Sequence, residues 1–312
     1  MNPAERVILG VFLFVVVFVY GVETLLLLRE LARRLRGAGD SELLTPFTLI
    51  IHVLALVGLV CFGYGYFVEP YSLELNEIDL KTHKLEAVSL RIVQISDLHC
   101  DRKTRNESKL AGMINPLKPD LIVFTGDCVN HPDALEKFHQ TLAGLKAKLG
   151  KFAVRGNIDV GMRTAAELFK ETGFHELDSE SLVLEKDGES FCVAGLNLET
   201  DDPTDLVEKL DETVYTVFLH HYPGVVEDVK GPKVDLYLCG HTHGGQVALP
   251  FYGALITLAE LGKKYERGLY YVGPTTMYVN RGIGMEGGRA PRVRFFSGPE
   301  IAVFDIRPEK RK

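Results

Sequence analysis

The sequence predicts an α/β domain of two packed sheets flanked by helices, preceded by two transmembrane helices, and three observations carry that expectation. Apolar residues concentrate in the first seventy positions in two runs, Val7–Leu28, whose only charged residue is Glu23, and Thr45–Val68, which has no Asp, Glu, Lys or Arg. Beyond Pro70, short apolar runs alternate with helical patterns, a strand-then-helix rhythm. From Phe191 onward the rhythm changes to successive strands separated by loops containing Gly or Pro, and that mixture points to two sheets with helices outside them.

Either apolar run is long enough to cross a bilayer, since about 20 residues rising 1.5 Å each cover the hydrocarbon core. The first is too long for a signal peptide and is followed by Arg-rich sequence in place of a small-residue cleavage site. The second is too long for a typical core helix; a re-entrant or interfacial hairpin is the competing arrangement of the pair. Between them, Arg29–Glu42 carries Arg29, Arg33, Arg34 and Arg36, whereas Val68–Leu80 contains no Lys or Arg. The positive-inside rule keeps the Arg stretch cytoplasmic and puts the N-terminus and everything after the second span outside. The expectation is a multi-pass protein of a bacterial inner membrane, with residues 1–70 as anchor and 71–312 as an extracytoplasmic domain. The cysteines pull the other way, toward a reducing cytoplasm.

Of the 312 residues 46% are hydrophobic and 25% charged, with a net charge of −7. Five Arg face six acids up to Pro70, and thirty Lys or Arg face thirty-six acids beyond it, so neither part offers the basic surface that a nucleic-acid partner needs. The five cysteines, Cys61, Cys100, Cys128, Cys192 and Cys239, show no C-x-x-C spacing, and no disulfide framework is expected. Composition is silent on oligomeric state.

In chain order, Glu69–Ser89 reads as a tether with a first strand. The run Leu90–Ile95 is a strand that delivers Asp97 at its end, and helical sequence follows through Leu117. Leu121–Thr125 is a second buried strand, Pro132–Leu149 an amphipathic helix, and Phe152–Val154 a short strand leading into Gly156-Asn157. Phe191–Ala194, Val214–Leu219, Leu236–Cys239, Met277–Asn280 and Ile301–Phe304 follow as strands. Phe251–Leu261 reads as a helix packed on the sheet, with a lipid-facing loop beside the site as its alternative.

The side chains that can carry chemistry follow these strands, where loops lift them off a sheet edge. Asp97-Leu98-His99 sets a carboxylate and an imidazole two residues apart. Asp127 follows Gly126 and Asn157 follows Gly156, each glycine permitting a tight turn. His221 precedes Tyr222-Pro223, and His241 and His243 bracket Thr242 in Gly240-His241-Thr242-His243-Gly244. Oxygen and imidazole donors without thiolate suit manganese, iron or zinc in a catalytic site better than a structural zinc. Singly, each has an ordinary reading: Asp as a helix cap, Asn as a turn residue, His as a satisfied core group. Jointly they collect four of the ten histidines with two Asp and one Asn at strand ends, which chance placement does not explain.

The ordered set D-x-H, G-D, G-N, H-x-P and G-H-T-H, between Leu90 and Gln246, resembles the calcineurin-like metallophosphoesterase family. Gly244-Gly245-Gln246 and Pro299-Glu300-Ile301 further resemble a bacterial branch with membrane-bound or exported members, related to lipid-linked phosphodiesterases and to the UDP-2,3-diacylglucosamine diphosphatases of lipid A biosynthesis. The resemblance implies a four-layer α-β-β-α sandwich and two divalent cations, manganese first, with iron or zinc as alternatives. It implies Asp97, His99 and His243 at one cation, Asn157, His221 and His241 at the other, and Asp127 bridging both. Asp127, Asn157 and His241 are also the expected catalytic residues. The implied reaction is hydrolysis of a phosphodiester or pyrophosphate bond, and the anchor points to a lipid or lipid-linked nucleotide such as UDP-2,3-diacylglucosamine.

Two such cations activate water and hold phosphoryl charge, and Arg102 and Arg155, beside the ligand loops, are candidates to assist. One position departs from the pattern: where the family usually has His after Gly-Asn, this chain has Ile158, which cannot donate a proton. A leaving group that needs none, such as the phosphomonoester released from a pyrophosphate, is then favoured, unless His131 or His220 takes over. UDP-2,3-diacylglucosamine is made in the cytoplasm, so an outward-facing domain would require a periplasmic lipid phosphate instead. Three other classes compete. A non-catalytic metal-binding membrane sensor is opposed by the complete ligand set, a transporter by two short-looped spans with one intramembrane Glu, and a nuclease by the acidic, tethered domain.

Overall fold

The computed structural model describes residues 3–37, 45–161, 167–198, 202–286 and 292–309. Two apolar helices open it, α1 (Pro3–Leu35) and α2 (Pro46–Phe67), each long enough to cross a membrane. α1 overruns its expected end. Arg29, Arg33 and Arg34 lie inside it, because Leu and Arg are strong helix formers and Arg34 pairs with Glu30 one turn earlier. The part of the Arg29–Glu42 stretch beyond Gly37 lies outside the described residues. Thr45 caps α2 by accepting the Thr48 N–H, with Pro46 in the first turn. The two helices meet where the Tyr20 hydroxyl donates to Ala55 O at 3.0 Å and His52 Nδ1 lies 2.6 Å from the Glu23 carboxylate.

The strands that follow are β1 (Glu74–Thr82), β2 (Leu90–Ile95), β3 (Leu121–Thr125), β4 (Gly150–Val154), β5 (His175–Glu176), β6 (Glu180–Lys186) and β7 (Glu189–Gly195). They continue with β8 (Tyr215–Leu219), β9 (Leu236–Cys239), β10 (Ala248–Leu249), β11 (Gly253–Ala254), β12 (Gly268–Val272), β13 (Thr275–Val279) and β14 (Glu300–Pro308). One sheet has the order β1-β14-β2-β3-β4-β5, the other β12-β13-β9-β8-β7-β6, and β10 and β11 form a hairpin. In the first sheet β2, β3 and β4 run parallel; in the second, β7, β8, β9 and β13 do. The helices among them are α3 (Glu107–Ile114), α4 (Leu135–Ala143), α5 (Asn157–Val160), α6 (Thr204–Lys209) and α7 (Val226–Val229).

Alternation along the strands decides the layers. In β2, Leu90 and Ile92 join Val217 and Leu238 in the core between the sheets, whereas Val93 and Ile95 pack outward with Leu110 of α3 and Phe138 of α4. In β8, Val217 and Leu219 face the other sheet while Phe218 packs outward with Leu206 of α6 and Val226 of α7. The result is a four-layer α-β-β-α sandwich.

Two expected helices change. Pro132–Leu149 is a 3-10 turn followed by α4, which ends at Gly144 because the next N–H groups bond elsewhere: Lys146 to the Asn115 side chain, Lys148 to Pro119 O and Leu149 to Asp120 O. Phe251–Leu261 is a loop entered through the β10–β11 hairpin. Positive φ at Phe251, Gly253 and Leu258 breaks any helix there.

Asp120 pins the start of β2: its carboxylate accepts the Arg91 N–H at 2.8 Å, Lys148 Nζ at 2.9 Å and Lys186 Nζ at 2.7 Å. Burial pushes its pKa up, but these donors outweigh burial and hold it below the ordinary aspartate value. Asp120→Ala is expected to cost about 1–3 kcal/mol of stability at neutral pH. Because the folded pKa is depressed, the deficit is complete above the ordinary aspartate pKa and disappears as pH falls through the folded one. Thermal melts of both proteins across an acid pH series read this convergence.

Candidate metal centre

β2, β3 and β4 end in register, Ile95 against Phe124 against Ala153, so the loops after them emerge side by side. β8 and β9 end together on the second sheet, Leu219 against Leu238. Buried polar bonds join the two edges. Gln94 Nε2 donates to Cys239 O at 2.9 Å, His221 Nδ1 donates to Thr125 O at 2.7 Å, and the His241 N–H reaches Asp97 Oδ1 at 3.1 Å. Within the first edge, the N–H groups of Asp97 and His99 donate to Gly126 O and Asp127 O at 2.9 and 3.0 Å.

The motif glycines are required by this crowding. Gly126 turns at a φ of 91°, and a Cβ on it would stand 2.6 Å from both Gly156 N and His221 Nδ1. A Cβ on Gly156 would collide with Asp127 Oδ1. Asp97, His99, Asp127, His241 and His243 all hold positive φ, a conformation that costs of order 1–3 kcal/mol per residue and collects at functional sites.

Side-chain donor atoms of six of the seven residues singled out from the sequence lie within 3.4 Å of another member of the set. His99 Nε2 lies 3.0 Å from His243 Nε2 and 3.4 Å from Asp127 Oδ2, and His243 Nε2 lies 3.4 Å from Asp97 Oδ1. His221 Nε2 lies 3.4 Å from Asp127 Oδ2 and 3.1 Å from Asn157 Oδ1. His241 stands at the side, its ring 5.1 Å from that of His221 and 4.5 Å from that of Tyr222. Among the described residues, the tight donor groups are Asp97, His99 and His243, and Asp97, Asp127 and His221. His99 Nδ1 donates to Asn130 Oδ1 at 2.9 Å and His221 Nδ1 to Thr125 O, so each ring turns its Nε2 lone pair to the centre.

Burial, opposed by His221 and joined by repulsion from Asp127, pushes Asp97 up to about 7. Burial works against protonation of His221, but the Asp127 carboxylate raises it to about 10. Asp127, despite its own burial, is held well below the ordinary value by His221 and His99. Burial lowers His99 below the ordinary histidine value, and it lowers His241 to about 3. Carboxylates that repel one another and imidazole lone pairs that converge, with no thiolate among them, fit divalent cations of the manganese, iron or zinc kind.

The candidate helpers are engaged elsewhere. Arg102 pairs with Asp133 at 2.9 Å on the surface and Arg155 with Glu176 at 2.7 Å. His131 Nδ1 accepts the Asp133 N–H at 3.1 Å at a helix start. His220 is buried, its Nδ1 accepting the Tyr222 N–H at 3.0 Å, and burial lowers its pKa to about 4.

Besides Asn130, sequence reasoning passed over two further residues that hold the site together. The Asp159 carboxylate accepts the N–H groups of Asp127 and Cys128, both at 2.9 Å, and of Gly156 at 2.8 Å, while Ile158 donates its own N–H to Asp127 Oδ1 at 3.0 Å. The signal for Asp159 was present: an acid at the third position of a short helix that opens at Asn157, with Gly156 as its cap. Arg294 is wholly buried, donates to Gly284 O at 3.0 Å and Ser297 O at 2.7 Å, and brings Nη2 3.3 Å from His243 Nδ1. Nothing in its neighbourhood in the sequence marks it. Asp159→Ala is expected to weaken Mn²⁺ binding roughly 10- to 100-fold in a calorimetric titration, because the N–H groups that aim Asp127 lose their acceptor.

Residues 90–245 match the family model for calcineurin-like phosphoesterases. The chain is 38% identical over 265 residues to the uncharacterized metallophosphoesterase YkuE of Bacillus subtilis, an alignment spanning 78% of this chain and 90% of the relative. It is 27% identical over 299 residues to the UDP-2,3-diacylglucosamine pyrophosphatase LpxG of Chlamydia muridarum, spanning 76% and 90%. It is 28% identical over 254 residues to the phosphodiesterase YaeI of Escherichia coli, spanning 78% and 92%. Together with the Asp and His cluster at the meeting sheet edges, these matches establish that the chain belongs to the calcineurin-like phosphoesterase family and is a metal-dependent phosphoesterase.

Proposed function

We propose that this protein hydrolyses a phosphodiester or diphosphate bond in a membrane lipid or lipid-linked nucleotide, with residues 1–70 as membrane anchor and 71–312 as the catalytic domain. The observation that carries this reading is the docking of the apolar helix pair onto the loops of the Asp and His cluster. Glu5 of α1 accepts the Thr257 N–H at 3.0 Å and its hydroxyl at 2.8 Å, and Gly65 O of α2 accepts the Arg294 N–H at 2.9 Å. Just past α2, Glu69 accepts the Ser297 N–H at 2.6 Å, and Ser297 Oγ donates to His243 O at 2.7 Å. Anchor and site are thus one hydrogen-bonded unit, which suits a substrate that lies in the bilayer.

In this reading Asp97, His99 and His243 hold one divalent cation, Asn157, His221 and His241 the other, and Asp127 stands between them. Manganese is the first candidate, with iron or zinc as alternatives. When bound, such a pair polarises the phosphoryl oxygens and makes water nucleophilic near neutral pH. The chain's part is orientation. Asn130 and Thr125 O fix the tautomers of His99 and His221, the Ile158 N–H and the loop held by Asp159 fix Asp127, and Asn157 and His241 flank it on the open side.

No side chain at position 158 can protonate a leaving oxygen, and His220 and His131 are committed as described. That favours a leaving group stable without a proton, the phosphomonoester half of a diphosphate, and the relative named a UDP-2,3-diacylglucosamine pyrophosphatase supports the same substrate class. A second reading rests on charge. Arg33, Arg34 and Arg36 lie at the end of α1 opposite Glu5, the end that docks on the domain. The positive-inside rule then puts the domain outside the cell's inner membrane, where a lipid phosphate of the outer face replaces a cytoplasmic nucleotide.

With Mn²⁺, the solubilised full chain is expected to cleave UDP-2,3-diacylglucosamine, and Asp127→Ala to abolish the activity. Turnover of bis-p-nitrophenyl phosphate alone selects the second reading, and Mn²⁺-dependent turnover of neither compound sinks both. Ile158→His is expected to raise the rate on alkyl phosphodiesters relative to diphosphates by about tenfold or more, measured as a ratio of kcat/KM values.

A further inference from the structure

We propose that the groove between the helix pair and the metal-site loops binds the acyl chain of the substrate, so that α1 and α2 form one wall of the binding site; this rests on the lipid reading above. A cavity of about 860 Å³ separates the two parts, a size within the range of roughly 300–1,000 Å³ typical of small-ligand sites. Leu13 and Val16 of α1 and Leu59 and Phe62 of α2 line one side, and Leu255 and Ile256 of the domain line the other. His241 and His243 close its inner end, together with Gln246 and Glu286.

The cavity is amphipathic along its length, which selects its occupant. His241, Thr242, His243, Gln246 and Glu286 line it beside the metal-site loops, whereas most of the other lining residues are apolar, and the Tyr20 and Thr257 hydroxyls among them are already bonded to Ala55 O and Glu5. Leu13 and Leu59 are 50% and 59% exposed, so the apolar end opens on the helix faces that lipid tails would surround. An acyl chain attached to a phosphorylated head fits both ends at once; a soluble phosphate ester leaves the apolar wall uncovered. The width of the groove is set by close approaches along α2. A Cβ on Gly58 would collide with the Tyr20 hydroxyl, and one on Gly65 would stand 2.9 Å from Arg294 O. Phe251, Leu258 and Phe296 are exposed on neighbouring loops of the domain, where a bilayer surface would cover them.

The test uses the full chain in lipid nanodiscs with Mn²⁺. Leu59→Trp fills the groove, and Val60→Trp, at a residue of α2 that is 62% exposed and outside the cavity lining, controls for the bulk of the indole. For Leu59→Trp, kcat/KM on a long-chain diacyl substrate is expected to fall about tenfold or more relative to its short-chain homologue, with Val60→Trp keeping the wild-type ratio. Equal ratios in all three proteins overturn the proposal. Running the series with UDP-2,3-diacylglucosamine and with a diacyl phospholipid distinguishes the two lipid sources. A second readout does not depend on turnover: a phospholipid with a diazirine on its acyl chain should label the Leu255–Thr257 segment of the domain, less so in Leu59→Trp. Labelling without hydrolysis of any lipid would retire the lipid-hydrolase reading and leave the groove; hydrolysis without labelling there would do the reverse.

Discussion

The site depends on one constraint, the meeting of two parallel sheet edges across a few buried polar bonds. Gln94 ties β2 to β9, His221 reaches back to the last residue of β3, and Asp97 receives the backbone of the G-H-T-H loop. In the low-dielectric interior such bonds are strong when complete and expensive when broken. They bring five loops close enough that the motif glycines have no room for a side chain and five Asp and His residues are pushed to positive φ. The packed core between the sheets supplies the stability against which that local strain is held.

Around this meeting point stands a layer of residues that touch the donor groups without belonging to them. Asp159 gathers three N–H groups of the G-D and G-N loops, and Arg294 gathers carbonyls of the loops behind His243. Ser297 extends the layer to Glu69 and so to the end of α2. The end of the apolar helix α2 is therefore close, through Glu69 and Ser297, to a proposed metal ligand, and a shift of the helix pair would be felt at the site. The Glu69–Ser89 stretch, read in the sequence as a tether with a first strand, does supply that strand as β1, but its beginning is a structural joint in place of a tether.

Much of the fold was legible because its central strands are buried almost entirely on both faces and so are mostly apolar: Leu90–Ile95, Leu121–Thr125 and Leu236–Cys239 have the boundaries read from the sequence. The edge strands β5, β6 and β12 were not foreseen, since β6 and β12 are mostly half-exposed and mix polar with apolar residues, and β5 is two residues long. The end of α4 and the Phe251–Leu261 loop were misread for a common reason. Their local patterns allow a helix, and what prevents it is backbone pairing with distant segments or a left-handed turn that no periodicity records.

The sequence by itself determined the apolar lengths of α1 and α2, the strands of the core, and the seven residues proposed to carry the chemistry, because each is written in composition or in a motif a few residues long. Only the tertiary structure decided which side chains face the centre and which hold the loops. It placed Asn130 behind His99, Asp159 behind Asp127 and Arg294 behind His243. It also placed the helix pair against the open side of the site. Those relations join residues far apart in the chain through single hydrogen bonds and close packing. Such contacts exist only once the strands are in register and the two sheets have met.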